Sequence, residues 1–261
     1  MISVVLATHN EAKNLPRCLE AVKDFADEII IVDGESTDET VAIAKTFKAK
    51  VIKTTNKANF HINKQMAMDE ARGELVLQLD ADEVVDDDLA LFIRDLHHHL
   101  REDNDHYNAW LIKRKNLFLG RFLSKGGQYP DPVIRLYRSG KAWLPQKDVH
   151  EQMHVEGQTG WAEGHLTHYA NPTFEDYMRK FNTYTSFKAV QLDEAKLSIN
   201  LLTGLHYLVW KPFATLFMIF IRHKGFVDGV PGFVFALMSG LHHAFAYLKL
   251  WEIREKRRLK L

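Results

Sequence analysis

The sequence predicts an α/β fold built on a mostly parallel, doubly wound sheet. Short apolar runs of strand type alternate with segments of helical period, the pattern of a parallel sheet with crossover helices. Three of these runs end abruptly in polar clusters. Ile2-Ser3-Val4-Val5-Leu6-Ala7 gives way to Thr8-His9-Asn10-Glu11, and Glu28-Ile29-Ile30-Ile31-Val32 gives way to Asp33-Gly34-Glu35-Ser36-Thr37-Asp38. Leu75-Val76-Leu77-Gln78-Leu79 gives way to Asp80-Ala81-Asp82-Glu83. With 261 residues, 46% of them hydrophobic, there is material for one large domain, alone or with a small appendage. Sheets of this kind bind ligands at the carboxyl ends of their strands, so the three clusters are expected to share one crevice.

Each element has a local reason. After the first run, Leu15, Leu19 and Val22 recur at helical spacing behind Asn14 and Pro16, which are start signals. Ser36 with Glu39 has the form of a capping box and is expected to open the helix of Val41, Ile43, Ala44 and Phe47. Val51-Ile52 reads as a short strand, residues 63 to 71 as a helix, and Gly73 precedes the strand that ends at Asp80. Leu89, Phe92, Ile93, Leu96 and Leu100 define an amphipathic helix. Consecutive helical residues do not share a face, so His97-His98-His99 are expected on its surface. Residues 107–115 and 133–138 read as strands that extend the sheet.

From Ser198 onward the composition changes. The apolar stretches 199–210 and 213–221 are interrupted by Lys211-Pro212 and by Arg222-His223-Lys224. Each is shorter than the ~20 residues a spanning helix needs. The stretch 230–251 is long enough but contains His242, His243, Lys249 and two glycines. The pattern predicts helices lying in a membrane interface, with Tyr207, Trp210, Phe213, Phe217 and Trp251 at headgroup depth. The basic end, Arg254, Lys256, Arg257, Arg258 and Lys260, is expected against anionic lipid.

The bulk numbers exclude some classes. Lysine plus arginine equals aspartate plus glutamate, 34 each, so no global basic field favours nucleic acid. The single cysteine, Cys18, cannot form an internal disulfide, fits a reducing cytoplasm and is expected in the core. The first apolar run has no basic segment before it and only a strand's length, unlike a signal peptide.

In an extended segment residues i and i+2 point the same way, so Asp80 and Asp82 present hard oxygen ligands on one side of a strand end. That suits a Mg²⁺ or Mn²⁺ that also holds substrate phosphates. Carboxylates at Glu11 and Asp33 suit ribose hydroxyls or a base N–H, and Thr8 and Asn10 add polar groups at the first strand end.

Taken in order, the clusters at 8–11, 32–38 and 79–83 resemble the three nucleotide-sugar motifs of family 2 glycosyltransferases. The resemblance covers roughly the first half of the chain. It implies a GT-A fold, which is Rossmann-like, a UDP-sugar donor and a divalent metal. It also implies a nucleotide-sugar site of Thr8, Asn10, Glu11, Asp33, Lys57, Asn63 and Asp80. Metal ligands would come from Asp82, Asp80 and His150. The second half carries Tyr129-Pro130-Asp131-Pro132-Val133-Ile134-Arg135-Leu136-Tyr137-Arg138 and Val149-His150-Glu151, and closes on the apolar, aromatic tail. That combination is similar to bacterial lipopolysaccharide core β-1,4-glucosyltransferases. It implies inverting transfer of a hexose, glucose from UDP-glucose, to an inner-core heptose at the cytoplasmic face of the inner membrane.

Inversion needs one base to take the acceptor proton. Glu151 is the residue the resemblance points to, with Asp131 and Asp148 as rivals. Lys125-Gly126-Gly127-Gln128 is expected to be a flexible loop that closes over the donor sugar. The expected division is a catalytic domain over 1–172, with a nucleotide half 1–105 and an acceptor half 106–172, then a membrane-associating helical region over 173–261. Transfer to a polyprenyl phosphate is the alternative reaction. A non-catalytic, membrane-bound nucleotide-binding module is the alternative outside enzymes.

Overall fold

The computed structural model describes residues 1–57, 59–100, 106–145 and 152–259. The chain forms two compact units, one of residues 1–114 and 131–168, the other of 115–130 and 169–261.

The first unit is organised by β1 (Ile2–Thr8), β2 (Glu28–Gly34), β3 (Lys50–Thr54) and β4 (Leu75–Leu79). β1 pairs in parallel with both β2 and β4, and β2 with β3. Alternation along these strands sends side chains to two different cores. Val4, Leu6, Ile31, Leu75, Leu77 and Leu79 pack with Leu15, Leu19, Leu89 and Ile93 on one face. Val5, Ile30, Val32 and Val76 pack with Ala67 and Met68 on the other. Strands buried on both faces read as continuous apolar runs, which is why the sequence shows runs here rather than alternation. Each fully buried aliphatic side chain contributes roughly 1.5–3 kcal/mol.

The covering helices are α1 (Leu15–Glu20), α2 (Thr40–Thr46), α3 (Phe60–Asp69) and α4 (Asp87–His99). Asp86 caps α4, its Oδ1 accepting from Leu89 N at 3.0 Å. The capping box expected at Ser36 and Glu39 does not form. Ser36 Oγ accepts from the Asn10 backbone N–H at 2.8 Å, and Asp38 instead accepts from Thr40 N at 3.0 Å. The tertiary contact with the β1 loop takes the hydroxyl that a local cap would use.

β5 (Glu83–Val85), β6 (Tyr107–Phe118), β7 (Arg121–Phe122), β8 (Val133–Arg138) and β11 (Gln158–Asn171) continue the sheet. Between β8 and β11, β9 (Ala142–Trp143) and β10 (His154–Val155) form a separate two-stranded ribbon. The order in the main sheet is β3-β2-β1-β4-β8-β6-β11-β5, with β7 paired to β6. From β4 outward, the β4–β8, β8–β6 and β11–β5 pairings are antiparallel. The fold is mixed α/β of the GT-A kind.

The second unit is mainly helical. α5 (Phe174–Glu194) is capped by Thr173, whose hydroxyl accepts from Asp176 N at 3.1 Å. Two long arms follow, 201–222 and Gly229–Leu259. The first arm passes through Lys211-Pro212 without breaking, contrary to the sequence expectation. It widens to π pitch over His206–Trp210, directly before Pro212, and again over Met218–Arg222. A widened turn accommodates a residue that has no N–H to donate. Both arms are long and apolar enough to cross a membrane by length and composition. They cross at Gly240, where an added Cβ would sit 2.5 Å from the Pro212 carbonyl oxygen.

Lys125-Gly126-Gly127-Gln128 is not a free loop. Asp228, 1% exposed, accepts from Ser124 N at 3.0 Å, from Ser124 Oγ at 2.7 Å and from Lys125 N at 2.8 Å. Gly126 N donates to His223 O at 2.9 Å. Gly126 and Gly127 hold φ of 67° and 75°, a region that costs glycine nothing.

Candidate active site

The parallel register aligns the carboxyl ends of the strands, with Thr8 opposite Asp33 and Leu6 opposite Leu79. The polar residues that follow β1, β2 and β4 therefore share one edge. Asp33 is 2% exposed. It accepts from Thr8 Oγ1 at 3.3 Å and from Ser36 N at 3.0 Å.

The loops after β1 and β2 are laced together. His9 Nδ1 lies 2.6 Å from Gly34 O, and Asn10 Oδ1 accepts from Thr37 N at 2.8 Å. Glu11 N donates to Thr40 Oγ1 at 2.7 Å, and the Glu11 carboxylate accepts from Asn14 Nδ2 at 2.9 Å. Asn10 reaches this position with φ of 56°, a conformation asparagine tolerates better than most residues. Asn63 on α3 is buried, donates to Thr55 O at 3.1 Å, and among the described residues its Oδ1 has no hydrogen-bond partner. Lys57 is half-buried between β3 and α3.

A ladder of alternating charges runs across the strand ends. Lys64 on α3 bonds Asp80 Oδ1, and Arg135 on β8 bonds Asp80 Oδ2 at 2.5 Å. The same Arg135 nitrogen lies 3.0 Å from Glu83 Oε1, and Arg114 on β6 lies 3.2 Å from that oxygen. Arg114 then bonds Asp131 Oδ2 through Nε at 3.0 Å and Nη2 at 2.8 Å. Glu83 has no solvent exposure, and its other oxygen accepts from Asp80 N at 3.0 Å. Burial pushes the Asp80 carboxyl pKa up, but Arg135 and Lys64 outweigh it and hold the group well below the ordinary carboxylate range. Cys18, fully buried as expected, donates its thiol to Asp80 O at 3.7 Å, and burial pushes the thiol pKa up.

Asp82 points to a different partner. The antiparallel pairing of β5 with β11 sets His168 opposite Glu83, which brings His168 Nε2 to 3.5 Å from Asp82 Oδ2. A carboxylate and an imidazole at this spacing are a donor set that suits Mn²⁺ or another first-row divalent ion, with coordination left for phosphate oxygens. Among the described residues no cluster of three or more His, Cys, Asp or Glu is arranged to hold a metal. Asp80 has both oxygens engaged by cations.

Residues 3–121 match the family model for glycosyl transferase family 2. An uncharacterised glycosyltransferase of Rickettsia typhi, RT0209, is 31% identical over 265 residues, 97% of this chain and 87% of that protein. The chain belongs to glycosyl transferase family 2. A second relative, the lipopolysaccharide core biosynthesis glycosyltransferase LpsC of Rhizobium meliloti, is 27% identical over 271 residues, 99% of this chain and 94% of that protein. Among solved structures, S. aureus TarS 1–349 in complex with UDP-GlcNAc superposes with a TM-score of 0.52 at 19% identity, covering 99% of this chain and 92% of that one.

The sequence reading assigned the acceptor base to Glu151, with Asp148 as a rival, and gave His150 as a candidate metal ligand. All three lie outside the described residues. Asp131 is described, and precedes β8 with φ of 40°, held by Arg114. His168, Lys64, Glu83, Arg114 and Arg135 are the residues that reading from motifs missed as members of the cluster. Glu83 adjoins the aspartate pair in sequence; the others reach it only through helix placement and strand pairing.

Proposed function

We propose that this glycosyltransferase acts by inversion and depends on a divalent metal. It moves a hexose, glucose from UDP-glucose, onto an inner-core heptose of lipopolysaccharide. The observation that carries it is the assembly at one sheet edge of Asp33, Asp80 and Asp82, with His168 facing Asp82. Asp33, with Thr8, Asn10, Glu11, Lys57 and Asn63 around it, is assigned to base and ribose. Asp82 and His168 would hold the metal, with His150 as the further candidate ligand. The metal would neutralise charge that develops on the departing diphosphate. Lys64 and Arg135 hold Asp80 ionised and oriented toward the ribose.

Glu151 is assigned as the base that takes the acceptor proton. Asp131 is the weaker candidate, because taking up a proton there would disrupt its ion pair with Arg114. The name of LpsC supports the choice of acceptor, and the UDP-GlcNAc complex of TarS concerns that protein's own donor. Exposed Leu201, Leu202, Trp210, Phe213 and Phe217 on the first arm support peripheral attachment to the inner membrane. Lys211 lies in the middle of that arm, a position that would be costly at the centre of a bilayer.

The test is a panel of purified sugar nucleotides offered with a heptose-terminated core acceptor, with and without Mn²⁺, the product linkage read by NMR. Metal-dependent transfer of glucose with inverted anomeric configuration is expected. Retention of configuration, or transfer undiminished by chelator, would defeat the mechanism. Transfer only to a polyprenyl phosphate would move the acceptor.

A further inference from the structure

We propose that the helical unit binds anionic lipid headgroups at its middle, through Lys188, His206, Lys211, His242 and His243, rather than at its basic C-terminal end. This rests on the membrane reading above and adds where the contact lies and which lipid makes it.

The C-terminal end is largely neutralised within the chain. Asp193 holds Arg254 at 2.9 Å and Arg257 at 2.5 Å. Lys256 pairs with Glu252 at 2.8 Å and Arg258 with Glu255 at 2.6 Å. Cations already paired have little left to gain from a phosphate.

The middle has no such compensation. The only acidic residue between Glu194 and Glu252 is Asp228, which is buried and engaged by Ser124 and Lys125. Among the described residues no carboxylate lies within ion-pair distance of Lys188, His206, Lys211, His242 or His243. Among the described residues Lys188 bonds the neutral Gln191 Oε1 at 3.3 Å, and Lys211 lies 4.0 Å from the Tyr207 ring centroid. Lys249 differs: it is consumed by oxygens of Asn182, Thr185 and Ser186 at 2.6–2.8 Å.

Packing gathers these groups from three elements. Tyr207, next to His206 and under Lys211, stacks on Tyr247 of the second arm at 5.4 Å. The His242 ring lies 5.8 Å from Phe181 of α5 and 6.2 Å from His243. Burial first, then the positive charges of Lys211, His242, Lys188 and His206, hold the His243 pKa below the ordinary imidazole value. Lys188 and Lys211 are like charges gathered without a counter-ion, which an external anion relieves.

The same elements expose a large apolar surface. Trp210 is 62% exposed, Phe213 63%, Val209 59% and Leu205 53% on the first arm, and Phe187 51% on α5. A soluble anion would leave these in water. A bilayer buries them at the acyl boundary while its phosphates meet the cations.

The experiment is flotation of the full chain with phosphatidylcholine vesicles and with phosphatidylcholine vesicles containing phosphatidylglycerol. Wild type should prefer the anionic vesicles. Lys188→Gln with Lys211→Gln should cut partition onto them by roughly tenfold or more, at about one surface-potential contact per lysine, and leave partition onto neutral vesicles unchanged. Lys188→Arg with Lys211→Arg should restore binding, and circular dichroism checks the fold. Lys256→Gln with Arg258→Gln should change partition by less than about twofold, as expected for exposed cations that already have partners. Flotation that ignores phosphatidylglycerol, or a C-terminal pair as damaging as the middle one, would overturn the headgroup site while sparing membrane binding. No flotation with either lipid would remove the membrane reading and this proposal together.

Discussion

Arg135 holds Asp80 at 2.5 Å and, through the same nitrogen, Glu83 at 3.0 Å. One guanidinium thus fixes the first aspartate of the 79–83 cluster to a carboxylate with no solvent exposure. Arg135→Gln should leave Glu83 with Arg114 as its remaining ion-pair partner. Breaking a buried pair from one side costs about 3–5 kcal/mol. Urea unfolding should show a loss of that size. A loss below about 1 kcal/mol would mean the pair behaves as a solvated surface bridge.

The same contact sets a pH window. The Asp80 pKa is depressed in the folded chain, chiefly because Arg135 and Lys64 overcome the effect of burial. A depressed carboxyl contributes stability that is present above its unfolded pKa, about 3.9, and is lost as pH falls toward the folded value. Its contribution to the urea midpoint should stay flat from pH 7 to about 5 and fall only below about 4. In Arg135→Gln, where less holds the folded pKa down, the fall below about pH 4 should be smaller. An unchanged acid limb in the variant would dissociate Arg135 from Asp80 ionisation.

Part of this site is legible in the sequence. Asp33, Asp80 and Asp82 stand where buried apolar runs stop, so strand ends and polar clusters coincide along the chain. His168 carries no such signal. It reaches Asp82 only because β11 pairs with β5 in one register, and a slip of one residue would turn it to the other face. Arg114 and Arg135 carry no sequence signal of their place in the cluster either, since their partners come from other elements. Ser36 and Pro212 misled in the opposite direction: local rules predicted a cap and a break, and tertiary contacts or a change of helical pitch overrode both.

Asp82→Asn and His168→Gln test the proposed ion site separately. Either should lower turnover by at least ~10²-fold, the scale of losing a main charge stabiliser. The metal concentration for half-maximal activity should rise in both. Folding should survive, because each side chain is near a strand end and partly exposed, 18% for Asp82 and 17% for His168. Full activity of His168→Gln at low Mn²⁺ would exclude it as a ligand.

Asp228→Asn tests the clamp on residues 124–126. Asparagine keeps the shape but loses the charge that strengthens hydrogen bonds from Ser124 and Lys125. Stability of the helical unit should fall by roughly 2 kcal/mol, within the range for hydrogen bonds to charged groups. Amide exchange at Ser124 and Lys125 should accelerate. Unchanged protection there would show that the loop is held by its other contacts, such as Gly126 N to His223 O.

Glu151→Gln separates the two candidate bases. Glutamine fills the same volume and accepts hydrogen bonds, but takes up no proton at neutral pH. Inversion requires that proton to leave as the acceptor oxygen attacks. The expected fall in kcat is roughly 10²–10⁴-fold, the contribution of a general base. Donor affinity by calorimetry should change little, since Thr8, Glu11, Asp33 and the metal are assigned to the nucleotide. Asp131→Asn is the paired measurement. It should weaken the hold on Arg114 and lower stability more than it lowers kcat, because Arg114 also anchors buried Glu83. An Asp131 variant that binds donor and is dead, beside a Glu151 variant that transfers normally, would move the base to Asp131 and assign Arg114 to orienting it.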